Sequence, residues 1–379
     1  MKLFANRAVA RAILHTMIQT LAQQSGGVFV FVYLLKVGVS APLVLCVVAG
    51  MVASRFAIRP AVLPLARRIG LRASLIVGTV LEAAIFPLLP FVHGPGPMLL
   101  AVIEVGAAGS VVYWTCYHAY FASVGDADHR GGQVGVREAL SALIGIAAPA
   151  AGGWAMVTAG PNFAFDAAAI IQLAAIAPLI GAPNVSVAHE APGGFRAALM
   201  GGALMATDGW FASAFYYLWQ IALFISLGEG FAGYGGAMAL AGLAGAAGGL
   251  IAGRLVDRGH ARRSVLLAYA WCAVVVIFRA ASFGNPALAV ATNALGATAG
   301  PVLIPVLMTR VYNLAQASPC PLRFHIATEG GWDIGCGAGC LTAAGLLALG
   351  VTPGPAMLIA LAGAAAACTL LLRSYGASR

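Results

Sequence analysis

The feature that most constrains this chain is a charged island, Gly253-Arg254-Leu255-Val256-Asp257-Arg258-Gly259-His260-Ala261-Arg262-Arg263, set between two long apolar runs. About 20 residues on each side suffice to span a bilayer. A knot of Arg and Asp is not stable in hydrocarbon, so the island is expected to be a tight loop at a membrane face. Its excess of Arg assigns that face to the cytoplasm. A related pattern stands about 190 residues earlier, at Leu65-Ala66-Arg67-Arg68-Ile69-Gly70-Leu71-Arg72, so the expectation is a duplicated membrane protein.

Composition agrees. The chain is 61% hydrophobic and 9% charged, against roughly 25% charged residues in soluble domains. A barrel is excluded because its strands are short segments of alternating polarity, and these runs are long and continuously apolar. The net charge of +9 follows from positive-inside loops, so no nucleic-acid partner is expected. The seven cysteines fall mostly within spans and form no disulfide framework. Lys2, Arg7 and Arg11 precede a run too long for a signal peptide, which reads as the first span.

Breaks in the apolar runs predict an all-α membrane protein of twelve spans: roughly 10–35, 40–58, 73–91, 98–122, 134–158, 162–182, 198–227, 231–252, 264–282, 286–314, 325–350 and 354–373. Two six-helix halves, 1–182 and 197–379, flank a polar cytoplasmic linker at 183–196. An even span count puts both termini on one side. With that side cytoplasmic, Arg59, Arg67, Arg68, Arg72, Arg254, Arg258, Arg262, Arg263 and Arg323 lie inside, and the other face has little beyond Lys36 and Arg279, which is expected to snorkel outward. The expected setting is the inner (plasma) membrane. The Gly and Ala residues of 233–253, including Gly245-x-x-x-Gly249, suit close packing of helix on helix, or a dimer face.

These loops resemble those of the major facilitator superfamily. Gly253, Leu255, Asp257, Arg258, Arg262 and Arg263 match the family's loop between spans 8 and 9, and Leu65, Arg68, Gly70 and Arg72 match its copy between spans 2 and 3, with Arg67 where the family has Asp. In span 5, Ala148-Pro149-Ala150-Ala151-Gly152-Gly153 is similar to the Gly-Pro-x-x-Gly-Gly element of the family's antiporters, with Ala148 for the first Gly. The resemblance implies two pseudo-symmetric six-helix bundles that rock about a central site. It implies a gating latch from Arg68, Arg72, Asp257, Arg258 and Arg262, and a cavity lined by spans 1, 4, 7 and 10.

On those spans Gln19, Gln23, Tyr113, Trp114, Tyr117, His118, Asp208, Tyr217, Gln220, Asn293 and Arg310 are candidate cavity residues. Such a wall suits an amphipathic or cationic solute; the same aromatics also serve as interface anchors or helix packing. Glu82 and Asp166 read as packing acids. Span 11 carries His325, Glu329, Asp333, Cys336 and Cys340 on one helical face. That stripe reads in three ways. It is a structural pair of acids bonded to nearby Arg, a proton or cation relay through Glu329 and Asp333, with Asp208 and Glu104 as further coupling candidates on other spans, or a transition-metal site using His325, Asp333, Cys336 and Cys340. No nucleotide-binding Gly-rich loop occurs, so ATP-driven transport by this chain is not expected; neither enzymatic activity nor a cofactor is expected. The whole reads as a monomeric secondary transporter for a small molecule or ion, proton-coupled and outward-moving, with the lipid bilayer as its other partner.

Overall fold

The computed structural model describes residues 6–125, 130–256 and 261–376. Among them no strand occurs, and nine helical segments are long and apolar enough to cross a membrane by length and composition. They are spans 1 (Arg7–Lys36), 2 (Ala41–Ile69), 3 (Leu71–Phe91), 4 (Pro97–Val124), 6 (Gly160–Ile180), 9 (Arg262–Ser282), 10 (Pro286–Ala317) and 12 (Pro353–Ser374), with Leu140–Thr158 from span 5. Span 7 runs as α-helix Leu199–Ala212, a π-helical turn Ser213–Leu218 and α-helix Trp219–Ser226. Span 8 is Phe231–Val256 and span 11 is Pro321–Ala348, completing twelve.

The helices begin and break where local chemistry requires. Asn6 and Asn285 accept backbone N–H groups at the starts of spans 1 and 10. Span 1 changes to 3₁₀ geometry at Gly27–Phe29, after Gly26, where a side chain would collide with Ala168 of span 6. The expected basic loop after span 2 is instead largely helical, through 3₁₀ residues Arg59–Ala61 and α-helix Val62–Ile69. It stops at Gly70, whose φ of 85° is in the left-handed region that glycine tolerates.

Two seams join the halves, and glycine shapes both. Spans 5 and 8 cross with backbones in near contact: Cβ atoms at Gly235 and Gly242 would overlap the carbonyls of Pro149 and Gly145. Gly152 faces Ser25 of span 1 and Gly153 faces Phe231 of span 8, so the Pro149-x-x-Gly152-Gly153 element occupies the crossing of three spans. In the second seam, span 11 lies between span 7 and span 2. Gly331, Gly335 and Gly339 press on Gly202, Ala206 and Ser213 of span 7. That ladder turns the other face of span 11, with Glu329 and Asp333, toward span 2.

The residues of 183–196 bind both halves. Asn184 accepts from the Arg72 backbone N–H (3.1 Å) and donates to the Ile69 carbonyl (2.7 Å). Arg323 of span 11 donates to the carbonyls of Ala188 and His189, at 3.3 and 2.8 Å.

Candidate functional site

The centre of the span 2–span 11 seam is a buried charge cluster. Arg55 and Arg59 are four residues apart, so they project from one face of span 2. Arg55 Nε is 3.1 Å from Asp333 Oδ1, and Arg55 Nη2 is 3.7 Å from Glu329 Oε2. Arg59 pairs with Asp333 Oδ2 and donates to Thr115 Oγ1 of span 4 at 2.9 Å. The side chain of Asp333 is 0% exposed and that of Arg59 is 3% exposed. Two cations from the first half thus meet two carboxylates from the second. Burying any of the four alone would be prohibitive.

Aromatic groups enclose this cluster. The Arg55 guanidinium lies over Trp332, 5.4 Å from the ring centre, and Trp332 Nε1 donates to Asp208 of span 7 at 3.2 Å. Toward the linker end, His118 Nε2 is 3.7 Å from Glu329, and its Nδ1 hydrogen-bonds the Tyr312 hydroxyl of span 10 at 2.8 Å. The His118 and His325 rings stack with centres 5.6 Å apart. Thr16 and Arg137 both donate to the Tyr117 hydroxyl. At the opposite end Phe29 packs edge-on against Phe231 and Tyr234, and Phe31 against Tyr217. The halves therefore touch at both ends of the bundle.

The expected site residues divide. Trp114, His118, Asp208, Tyr217 and Gln220 are half-buried, and the first four contact this cluster or the opposite-end aromatic contacts. Tyr113, Tyr117 and Gln19 are buried in the first half, bonded to His15, Thr16 and Glu82 respectively. Gln23 is half-buried beside Gly27. Asn293 is occupied within the second half, accepting from Trp219 Nε1 at 2.9 Å and donating to the Ala237 carbonyl at 3.0 Å. Arg310 donates to the Ser374 carbonyl of span 12. Glu104 is exposed and accepts from Ser54 of span 2 at 2.8 Å.

Of the gating residues, Arg72 donates to the carbonyls of Ile180 and Ala182, and Arg68 and Arg262 are exposed. Asp257 and Arg258 lie outside the described residues. The metal stripe does not gather: Asp333 is held by arginines, His325 stacks on His118, and Cys336 and Cys340 face each other at 4.0 Å. Among the described residues no three His, Cys, Asp or Glu side chains converge to hold a metal.

Two positively charged residues depart from expectation. Arg59, assigned above to a cytoplasmic loop, is buried between the halves. Arg279 does not snorkel. It is 4% exposed, donates to the Phe215 carbonyl at 2.7 Å, and lies over the Phe215 and Trp219 rings. That carbonyl lies within the π turn Ser213–Leu218, so Arg279 supplies a side-chain donor to the turn. Arg55 was missed altogether as a site residue. The available signal was an arginine inside an apolar run, one turn before a second.

The fold is that of major facilitator transporters of known structure. A crystal structure of the major facilitator transporter FucP in an outward conformation superposes with a TM-score of 0.67 at 12% identity, over 96% of this chain and 97% of that one. A variant of the E. coli fucose:proton symporter FucP superposes with a TM-score of 0.64 at 13% identity, with the same coverage. No family model and no curated protein matches the sequence.

Proposed function

We propose that this chain is a secondary transporter that moves a small amphipathic or cationic organic solute by alternating access, with protons as the coupling ion. The carrying observation is the cross-lobe set Arg55, Arg59, Glu329 and Asp333, which is charge-balanced while the lobes are together. Protonating either carboxylate leaves an arginine in excess and weakens the contact, which links proton binding to lobe movement. The neighbouring rings of Trp114 and Trp332, with the Asp208 carboxylate, favour a flat cation through stacking and cation–π attraction. The likeness to a fucose:proton symporter supports proton coupling, and the Pro149-x-x-Gly152-Gly153 element supports outward movement. Arginine-rich segments at the linker end support an inner-membrane orientation with both termini inside.

The test uses purified protein in liposomes under an imposed pH gradient, with ethidium as the probe cation and L-fucose as the comparison. Ethidium is expected to move protons stoichiometrically and fucose is not. Proton movement with fucose alone, or with neither probe, refutes the proposed solute class.

A further inference from the structure

Glu82 of span 3 is buried in the first half, and the reading above gives it no role. Its partners are two carboxamides. Gln19 Nε2 of span 1 donates to Glu82 Oε2 at 3.4 Å, and Gln172 Nε2 of span 6 donates to the same oxygen at 3.0 Å. On span 4, Gly109 brings its backbone against Glu82, and Tyr113 is the titratable group facing it. His15 of span 1 is engaged by Tyr113 and the Ala175 carbonyl. The facing cation is Arg55 of span 2, which is committed to Glu329 and Asp333. No ion pair reaches Glu82 among the described residues.

A second observation comes from the partner. Gln172 is 0% exposed, and its Oε1 is buried with no hydrogen-bond donor. A buried orphan acceptor costs about 1–3 kcal/mol. The missing donor is what a hydroxyl on Glu82 would supply. Oε2, which accepts two N–H groups, then acts as the carbonyl oxygen. In the neutral acid, Oε1 would carry the proton and be the group able to donate to Gln172 Oε1, which would close a two-bond acid–amide pair. An ionised carboxylate offers no such donor, and the cation facing it, Arg55, is already paired with Glu329 and Asp333.

From this geometry we infer that Glu82 is a proton-binding site, held as the neutral acid by Gln172 and connected through Gln19 to the face of span 1 that carries Gln23. Its use in coupling rests on the transport reading above; its protonation does not. Release sends the proton from Oε1 to water or solute reaching Gln19, and the remaining carboxylate keeps both N–H bonds.

Infrared difference spectra of the full-length protein in lipid at pH 7 read the protonation. Wild type minus Glu82→Gln is expected to show a carboxylic-acid C=O stretch that shifts in D2O. Gln172→Leu should keep that band but displace it, which guards against misfolding of the first variant. A difference containing carboxylate stretches alone overturns the inference. In ethidium-loaded liposomes, a gradient of about one pH unit sustains roughly tenfold accumulation for one coupled proton. Glu82→Gln should retain ethidium exchange and lose that accumulation; unchanged accumulation overturns the coupling role. If wild type moves no ethidium, the proposed solute class fails while the infrared result still decides the protonation.

Discussion

Replacing Asp333 by Asn tests the central claim most directly. Asp333 faces Arg55 and Arg59 with its side chain fully buried, and Glu329 is the remaining anion, 3.7 Å from Arg55. Removing one member of a buried pair costs about 3–5 kcal/mol, because a charge is left uncompensated. That penalty falls on the arrangement that buries the arginines, with the lobes together. A tenfold change in equilibrium corresponds to about 1.4 kcal/mol, so lobe separation should be favoured by roughly 160- to 5,000-fold. Spin labels at positions 68 and 262, exposed residues on opposite halves, read the change as a longer distance distribution. The half-buried Cys46 and Cys368 would be replaced first. The double variant Arg59→Gln, Asp333→Asn restores charge balance and should recover more than half of the effect, a coupling that a double-mutant cycle measures. If Asp333→Asn leaves the distances unchanged, or the double variant behaves as the sum of its parts, the ion pairs do not hold the lobes.

Three further outcomes follow from the packing. Gly335→Val should destabilise the protein by at least about 1–3 kcal/mol, because a side chain there overlaps the Ala206 carbonyl and backbones cannot yield as side chains do; thermal unfolding in detergent checks this, and an unchanged midpoint contradicts it. Arg279→Ala strips a charge-assisted hydrogen bond and two ring contacts from the π turn of span 7, a loss of about 2–5 kcal/mol. Arg279→Lys should recover part of it in the same unfolding assay. Arg323→Ala frees the carbonyls of Ala188 and His189, so limited trypsin digestion at Arg196 should accelerate while cuts elsewhere keep their rates.

Much of the architecture could be read from the chain because lipid leaves few choices. Every backbone polar group in a bilayer must be satisfied locally, so a long apolar run with polar ends becomes a helix. The duplicated basic segments point to a repeated membrane protein, because each marks a short loop at the same membrane face. The periodicity of span 11 placed Glu329 and Asp333 on one face correctly, because residues four apart share a face whatever lies opposite.

What lies opposite was beyond the sequence. Arg59 looked like a loop residue because charge usually ends a span; it is buried because Asp333, 274 residues away, neutralises it. Asn293 and Arg279 looked like a cavity residue and an interface anchor, yet both are used up by neighbours within the second half. Gln172 carries no pattern that separates it from any other polar residue in a span, and its importance appears only beside Glu82. Composition and periodicity determine which stretches cross the membrane, since that is settled between each segment and its solvent. Which polar groups are paired, and which are left with an open valence, depends on residues brought together by packing, and only the tertiary structure decides it.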